Sequence, residues 1–321
     1  MSRIAVLGLG ASGLVVATSL EGTHDVSYHD VNPDRMALGR RTLQTAVCAP
    51  SGAMEADVVV LATPTGRHGA QAKQFLDAGV SVVSMSDAPG DISALLALDA
   101  FAAKRGLTLI VGAGMAPGLS CLLARHAGNA LDSVEEIAVA KTGTGGPACA
   151  RQHHRALKRP GRDWLEGEWV MRRGGSGREL LWFPDPIGAL DCYRGDLASP
   201  LLLQRVYDDA GRISARMSAT RRDRLTYRLP MLRRPHADGG PGGIRVEVRG
   251  LRAGAFETLV YGCMSHPSTA AGLISASAAR HVVSNEAKAG AYGLAEVDEP
   301  LRLLRPLVDG GLAIVAIGAT G

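Results

Sequence analysis

Arg3-Ile4-Ala5-Val6-Leu7-Gly8-Leu9-Gly10-Ala11-Ser12-Gly13 is the stretch that decides the fold of this 321-residue chain. An apolar run meets a glycine-rich turn, and a second apolar stretch, Leu14 to Leu20, follows at once. Val26-Ser27-Tyr28-His29-Asp30 comes next. The pattern reads as strand, tight turn, helix, strand, with an acid at the end of the second strand. That is the layout of a dinucleotide-binding unit. Gly8 permits the turn, Gly10 lets backbone approach a pyrophosphate, and Gly13 permits close helix–strand packing. Ala11, Ser12 and Gly13 open the helix, whose unpaired N–H groups face phosphate oxygens.

Asp30 follows Gly8 by roughly 20 residues, the spacing of a carboxylate that holds the adenosine ribose hydroxyls. Such a carboxylate repels a 2′-phosphate, so NAD is expected in preference to NADP. Arg35, Arg40 and Arg41 lie close enough in sequence to leave NADP open. No flavin signal accompanies the motif.

The length suffices for two domains with separate cores. At 46% hydrophobic residues the composition is that of an ordinary globular protein. No charged-then-apolar leader precedes Arg3, and no apolar run reaches about 18 residues. A cytoplasmic protein without a membrane partner is therefore expected. The net charge of +4 is modest. Arginines concentrate at Arg221, Arg222, Arg224, Arg228, Arg233 and Arg234, but no aromatic stacking repeats accompany them. They read as a solvated face rather than a nucleic-acid surface. The five cysteines show no paired spacing, which suggests reduced thiols. No metal-ligand pattern emerges.

The first half alternates. Ala56–Ala62, Val80–Ser84 and Leu107–Val111 read as buried parallel strands, with helices over Gly69–Ala78, Asp91–Arg105 and Gly118–Ala127. Ligands bind at the carboxyl ends of such strands. Those ends supply Ala62-Thr63-Pro64 and His68, then Ser86 and Asp87, then Gly112, Gly114 and Met115. Ala62, Thr63, Pro64, Gly112, Gly114 and Met115 are expected along the cofactor. His68 joins that set, and is also a proton-transfer or helix-cap candidate. Asp87 either orients a substrate amine or caps the next helix.

After Leu131 strands dominate: Val134–Lys141, Leu180–Phe183, Arg212–Thr220, Leu225–Leu229, Ile244–Val248 and Glu257–Cys263. They predict a largely antiparallel sheet with one solvated face. Lys141-Thr142-Gly143-Thr144-Gly145-Gly146-Pro147 ends a strand and opens a helix carrying His153 and His154. The turn is a candidate carboxylate holder, and Lys141 its charge. One of the two histidines is expected to face a cleft as the acid–base group. Asp185, fixed between Pro184 and Pro186, is a second candidate for orienting an amine. Gly239-Gly240-Pro241-Gly242-Gly243 reads as a surface connection. Ser268–Val283 predicts a helix, and Leu304–Leu307 and Leu312–Ile317 a last helix and strand.

Gly8–Gly13, Ala62-Thr63-Pro64, Gly112–Ser120 and Phe183-Pro184-Asp185-Pro186-Ile187-Gly188 together resemble the saccharopine dehydrogenase (reductase-type) superfamily. The resemblance implies an α/β protein: a Rossmann NAD(P)-binding domain over residues 1–125, completed by 266–321, and a second α+β domain over 126–265 with a mostly antiparallel sheet. It implies a homodimer and a nicotinamide-dependent oxidoreductase acting on an amino-acid or imine C–N bond. Oxidation at a C–O or aldehyde carbon of a carbonyl substrate is an alternative within the same fold. A nicotinamide-binding sensor or scaffold without turnover is another. The chain is short for that superfamily, and the segment from Lys141 to Arg155 maps onto no family motif. No catalytic role is carried over to His153, His154, Lys141, Asp87 or Asp185 by resemblance.

Overall fold

The computed structural model describes residues 1–48, 52–231 and 234–318; Arg233 lies outside them. The chain divides into two compact units. The first comprises Met1–Gly114 with Ser268–Gly293, the second Met115–Pro267 with Leu294–Gly321.

In the first unit the strands are β1 (Arg3–Leu7), β2 (Asp25–His29), β3 (Val47–Cys48), β4 (Val58–Leu61), β5 (Ser81–Ser84) and β6 (Thr108–Val111). They stand in the order β3-β2-β1-β4-β5-β6, followed by the late strand Gly290–Gly293. Every pairing is parallel. Aliphatic residues make up all of β4 and all but Thr108 of β6 because these strands are buried on both faces. The strand order reverses between β1 and β4, which is where a doubly wound sheet opens its ligand crevice. Gly8 follows β1 and Ala62 follows β4, so the two meet there. The single helix expected over Asp91–Arg105 is two, Pro89–Leu96 and Asp99–Lys104. The break at Ala97-Leu98 carries no glycine or proline, so no local signal announces it.

In the second unit the strands are β7 (Ser133–Thr142), β8 (Gly161–Leu165), β9 (Glu168–Arg172), β10 (Glu179–Phe183), β11 (Gly188–Arg194), β12 (Arg212–Ser218), β13 (Gly242–Arg252) and β14 (Ala255–Ser265). The order is β10-β11-β12-β7-β13-β14, ending on Ile314–Ala316; β8 also pairs with β12, and β9 with β8. The sheet is mixed, because β12 and β7 run parallel while their other neighbours are antiparallel. One face is apolar: Ile137, Val139, Ile213, Met217, Ile244 and Val246 are all buried on it. The other carries a ladder of ion pairs. Glu136 meets Arg212 at 3.3 Å and Arg249 at 3.4 Å, and Arg245 meets Glu247 at 2.5 Å.

Three expectations are corrected. The strand expected at Leu225–Leu229 does not form; Arg221–Thr226 is a helix, started by a capping box between Thr220 and Asp223. The division falls at Gly114/Met115 rather than 125/126, and Leu119–Gly128 belongs to the second unit. The segment 266–321 is shared. Gly290–Gly293 extends the parallel sheet beside β6, whereas Ile314–Ala316 pairs with β14.

Candidate functional site

The first unit builds a cradle at the turn after β1. Gly8 adopts φ +94°, and its N–H donates to the His29 carbonyl at 2.8 Å. A Cβ at Gly8 would lie 2.7 Å from the Ala62 carbonyl oxygen. At Gly13 a Cβ would overlap the Gly8 carbonyl oxygen, so the helix Ala11–Leu20 sits directly on the strand end. Gly10 differs: its φ is −64°, and a Cβ there would meet nothing within 4 Å. The open side of the turn is therefore at Gly10. The first intrahelical bond runs from Leu14 N–H to the Gly10 carbonyl. Ala11, Ser12 and Gly13 consequently lack intrahelical acceptors for their N–H groups. No acidic residue occupies the first turn, so the positive helix end is unopposed. The return helix Pro267–Val283 packs on this helix where Gly272 meets Val15.

Asp30 closes the cradle's rim. One carboxylate oxygen accepts from Leu9 N–H and the other from Asn32 N–H, both at 2.7 Å. These bonds fix the carboxylate beside the glycine turn and leave lone pairs for a diol. Arg41 donates from Nε back to the Ala37 carbonyl of its own helix.

The turns after β4 and β5 are tied together below the surface. Asp91 accepts from Gly66 N–H and from Ser86 Oγ, each at 2.7 Å. His68 is wholly buried. Its Nε2 lies 3.0 Å from the Thr63 carbonyl, which only accepts, so Nε2 carries the proton. Nδ1 then accepts from Ser84 Oγ at 2.8 Å. Burial holds the His68 pKa below the usual imidazole range, against the opposing Thr63 bond. His68 is thus a strut that sets Thr63; the expected ligand-facing or cap role is corrected by its burial. The N-cap of the helix Pro89–Leu96 is Ala88, not Asp87. Gly112 takes φ +72°, and Ala113 N–H bonds to the Ser84 carbonyl at 2.7 Å. Gly114 ends the first unit and Met115, buried, begins the second.

The second unit carries an open cavity of about 850 Å³ between the helix Pro147–Lys158, β10–β11 and the helix Arg221–Thr226. His153 and His154 both line it. The expectation that only one would do so is corrected, because the cavity wraps that helix face and the two rings diverge. His153 Nε2 donates to the Ser218 carbonyl at 3.3 Å, and His154 Nε2 to the Leu229 carbonyl at 2.9 Å. His153 Nδ1 is buried without a hydrogen-bond partner. Burial, then the Lys141 charge, pushes the His153 pKa down to about 4. The ring is therefore neutral near pH 7, with its lone pair on Nδ1.

The other expected members do not join it. Lys141 lies in β7 between Met217 and Ile244, on the opposite face from the cavity-lining Thr142. Asp185 is exposed in the β10–β11 turn. Asp87 belongs to the first unit. The Lys141–Pro147 turn is also narrower than an open anion nest. Gly240 N–H takes the Thr144 carbonyl at 3.2 Å, and a Cβ on Gly239 would lie 2.8 Å from Gly146 N. The 239–242 stretch, expected as a plain surface connection, packs against that turn. Arg178, Asp191, Arg221 and Arg222, which line the cavity, were not singled out as site residues by the sequence. Arg178 pairs with Asp191 at 2.9 Å, which raises the Arg178 pKa. Among the described residues no cluster of histidine, cysteine or acidic groups could hold a metal. No helix among them is long and apolar enough to cross a membrane.

No protein-family model matches the chain, and no curated protein does. Solved structures match along its whole length. Apo saccharopine dehydrogenase (L-Glu forming) from Saccharomyces cerevisiae aligns with TM-score 0.72 at 14% identity, over 99% of this chain and 100% of that one. DAP dehydrogenase of C. glutamicum, in complex with DAP, aligns with TM-score 0.51 at 16% identity, over 97% and 99%. A candidate myo-inositol dehydrogenase from Sinorhizobium meliloti gives 0.50 at 13%, over 99% and 100%. At these identities the likeness is one of fold. The chain shares the two-part, Rossmann-containing fold of saccharopine dehydrogenase, as its glycine turns and proline-bracketed segments suggested.

Proposed function

We propose that the chain is an NAD(P)-dependent oxidoreductase acting on a C–N bond of a small amino acid or imine, with NAD preferred. The observation that carries the reading is the cradle: a glycine turn open only at Gly10, three helix-start N–H groups, and Asp30 fixed at its rim. Ala11, Ser12 and Gly13 N–H would hold the pyrophosphate, and Asp30 the ribose diol. Ala62, Thr63, Pro64, Gly112 and Gly114 would border the remainder. Arg41, turned back on its own helix, supports NAD over its 2′-phosphorylated form. When bound, the nicotinamide supplies hydride transfer.

On the substrate side the acid–base role falls to His153. It is the histidine of the cavity wall whose second ring nitrogen has no hydrogen-bond partner. His154, tethered to Leu229, would shape the same wall. The yeast saccharopine dehydrogenase and the DAP dehydrogenase support amino-acid chemistry by their names, and the inositol dehydrogenase keeps the C–O alternative in view. A homodimer in a reducing, cytoplasmic setting belongs to the same reading; the reducing setting fits five cysteines that form no disulfide. The test is a screen of amino acids and hydroxy acids with NAD, followed by nicotinamide absorbance. The reading expects turnover with an amino acid and a kcat lowered about 100-fold in His153→Gln. Turnover with hydroxy acids alone, or full activity in that variant, would overturn it.

A further inference from the structure

The outer edge of the second-unit sheet is made by β9 and β10. β10 ends the strand order, and β9 pairs only with β8. β8 and β11 lie on the same side of β12, at Arg212–Ile213 and Arg216–Ser218 respectively, and both run antiparallel to it. β9 and β10 therefore follow one another along a single edge, in one direction. The turn between them stays in line with the strands: Gly175 N–H donates to the Arg194 carbonyl at 2.8 Å, and Arg194 N–H to the Ser176 carbonyl at 3.0 Å. An edge strand leaves alternate backbone N–H and C=O groups unpaired on its outer side.

The side chains here are not those of a protected edge. Trp169 and Met171 on β9 are 39% and 57% exposed, and Leu180 and Trp182 on β10 are 59% and 62% exposed. All four share one face of the sheet. Trp169 lies across from Trp164, which faces Ile213, and Leu180 lies across from Asp191, whose carbonyl takes Ala219 N–H. Neither strand contains lysine or proline, the usual blocks to edge pairing. The two strands, each of five residues, are also complementary to one another. Laid antiparallel, Trp169 meets Trp182, Met171 meets Leu180, and Arg172 meets Glu179. The first two are apolar pairs on one face, and the third is an ion pair on the other. Arg172 has no ion pair or hydrogen bond among the described residues. Glu179 reaches Arg216 through Oε2 at 3.0 Å and keeps Oε1 for it.

We infer that a second copy of this chain pairs along this edge about a two-fold axis, with β9 of each copy hydrogen-bonded to β10 of the other. The axis makes every contact twice and joins the two sheets into one. Leu180 also lines the cavity, so the partner's Met171, placed beside it, adds to the cavity rim. The inference rests on the proposed homodimer and deepens it by naming the interface. A dimer built through another face would keep the homodimer and overturn this interface.

The experiment combines sedimentation velocity with disulfide trapping on the full chain. At micromolar concentration the wild type should sediment at twice the 33.4 kDa of the chain. Met171→Glu/Trp182→Glu sets carboxylates at two exposed positions. It should keep the wild-type circular dichroism and weaken self-association at least about 100-fold. Met171→Cys/Leu180→Cys should form a disulfide-linked dimer under mild oxidation. Met171→Cys or Leu180→Cys alone should not, because each cysteine lies more than about 10 Å from its own mate across the axis. The wild type, with its five cysteines, sets the background. A monomeric wild type, a dimeric glutamate variant, or trapping in the double cysteine variant no greater than in the single ones would overturn the inference. So would a mass that grows without limit as concentration rises, which is edge aggregation. Should the glutamate variant lose its fold, the trapping comparison decides alone.

Discussion

Alanine at Gly10 and at Gly13 should give opposite results, and the contrast isolates what the glycine turn is for. At Gly10 the backbone is ordinary, with φ −64°, and a Cβ meets nothing within 4 Å. Gly10→Ala should therefore leave stability within about 1 kcal/mol of wild type, with a small gain from the reduced freedom of the unfolded chain. Its methyl group projects into the space where backbone must approach a pyrophosphate, so NADH affinity should fall at least tenfold, about 1.4 kcal/mol. At Gly13 the Cβ would overlap the Gly8 carbonyl oxygen and come to 3.1 Å of the Ala62 Cβ. Both obstacles are close to rigid backbone. The helix must shift off the sheet, at a cost of about 1–3 kcal/mol or more. Gly13→Ala should thus lose stability and binding together. The assays are urea unfolding and titration of nicotinamide fluorescence. A Gly10→Ala protein that binds NADH like wild type would refute the placement of the phosphate at this helix start. A Gly13→Ala protein of unchanged stability would refute the packing argument.

Three further outcomes are expected. Asp91→Ala should destabilise the first unit by about 1–3 kcal/mol in urea unfolding, because it strands the Gly66 N–H and the Ser86 hydroxyl; an unchanged midpoint would contradict this. His153 is neutral when folded, with a pKa near 4, while the unfolded chain takes its proton at about 6.5. Its stability contribution is full above pH 6.5 and is lost as pH falls toward 4, by at most about 3 kcal/mol. His153→Gln should flatten that part of the pH–stability curve, and an unaltered slope would count against the burial of the ring. Asp30→Ala should weaken NADH at least tenfold and NADPH less, since the carboxylate both holds the ribose and repels a 2′-phosphate; equal losses would contradict the ribose role.

The nucleotide unit was legible because its signals are local. Gly8, Gly10, Gly13 and Asp30 stand at fixed spacing within a strand–helix–strand pattern, and apolar runs such as Val58–Leu61 mark strands buried on both faces. The second unit was less so. Its cavity gathers residues from β7, β10, β11 and two helices, and only β-sheet register brings Asp191 beside Arg178. Lys141 stood in the most suggestive stretch, yet strand alternation turns it to the face opposite Thr142. The arginines at Arg221 and Arg222 read as a solvated face because charge composition does not report a cavity. The strand expected at Leu225–Leu229 failed where Thr220 and Asp223, at capping-box spacing, held the stronger signal. His68 and Asp91 show the same limit: each is a polar residue whose burial depends on the neighbouring turn, Ser84 for one and Gly66 for the other.

The most direct measurement is titration of the purified protein with NADH and with NADPH, followed by nicotinamide fluorescence. The account predicts saturable binding of NADH, at least tenfold tighter than NADPH, with Asp30 facing the ribose. Absence of binding by either nucleotide would contradict its central claim, that the turn after β1 is a nicotinamide-dinucleotide cradle.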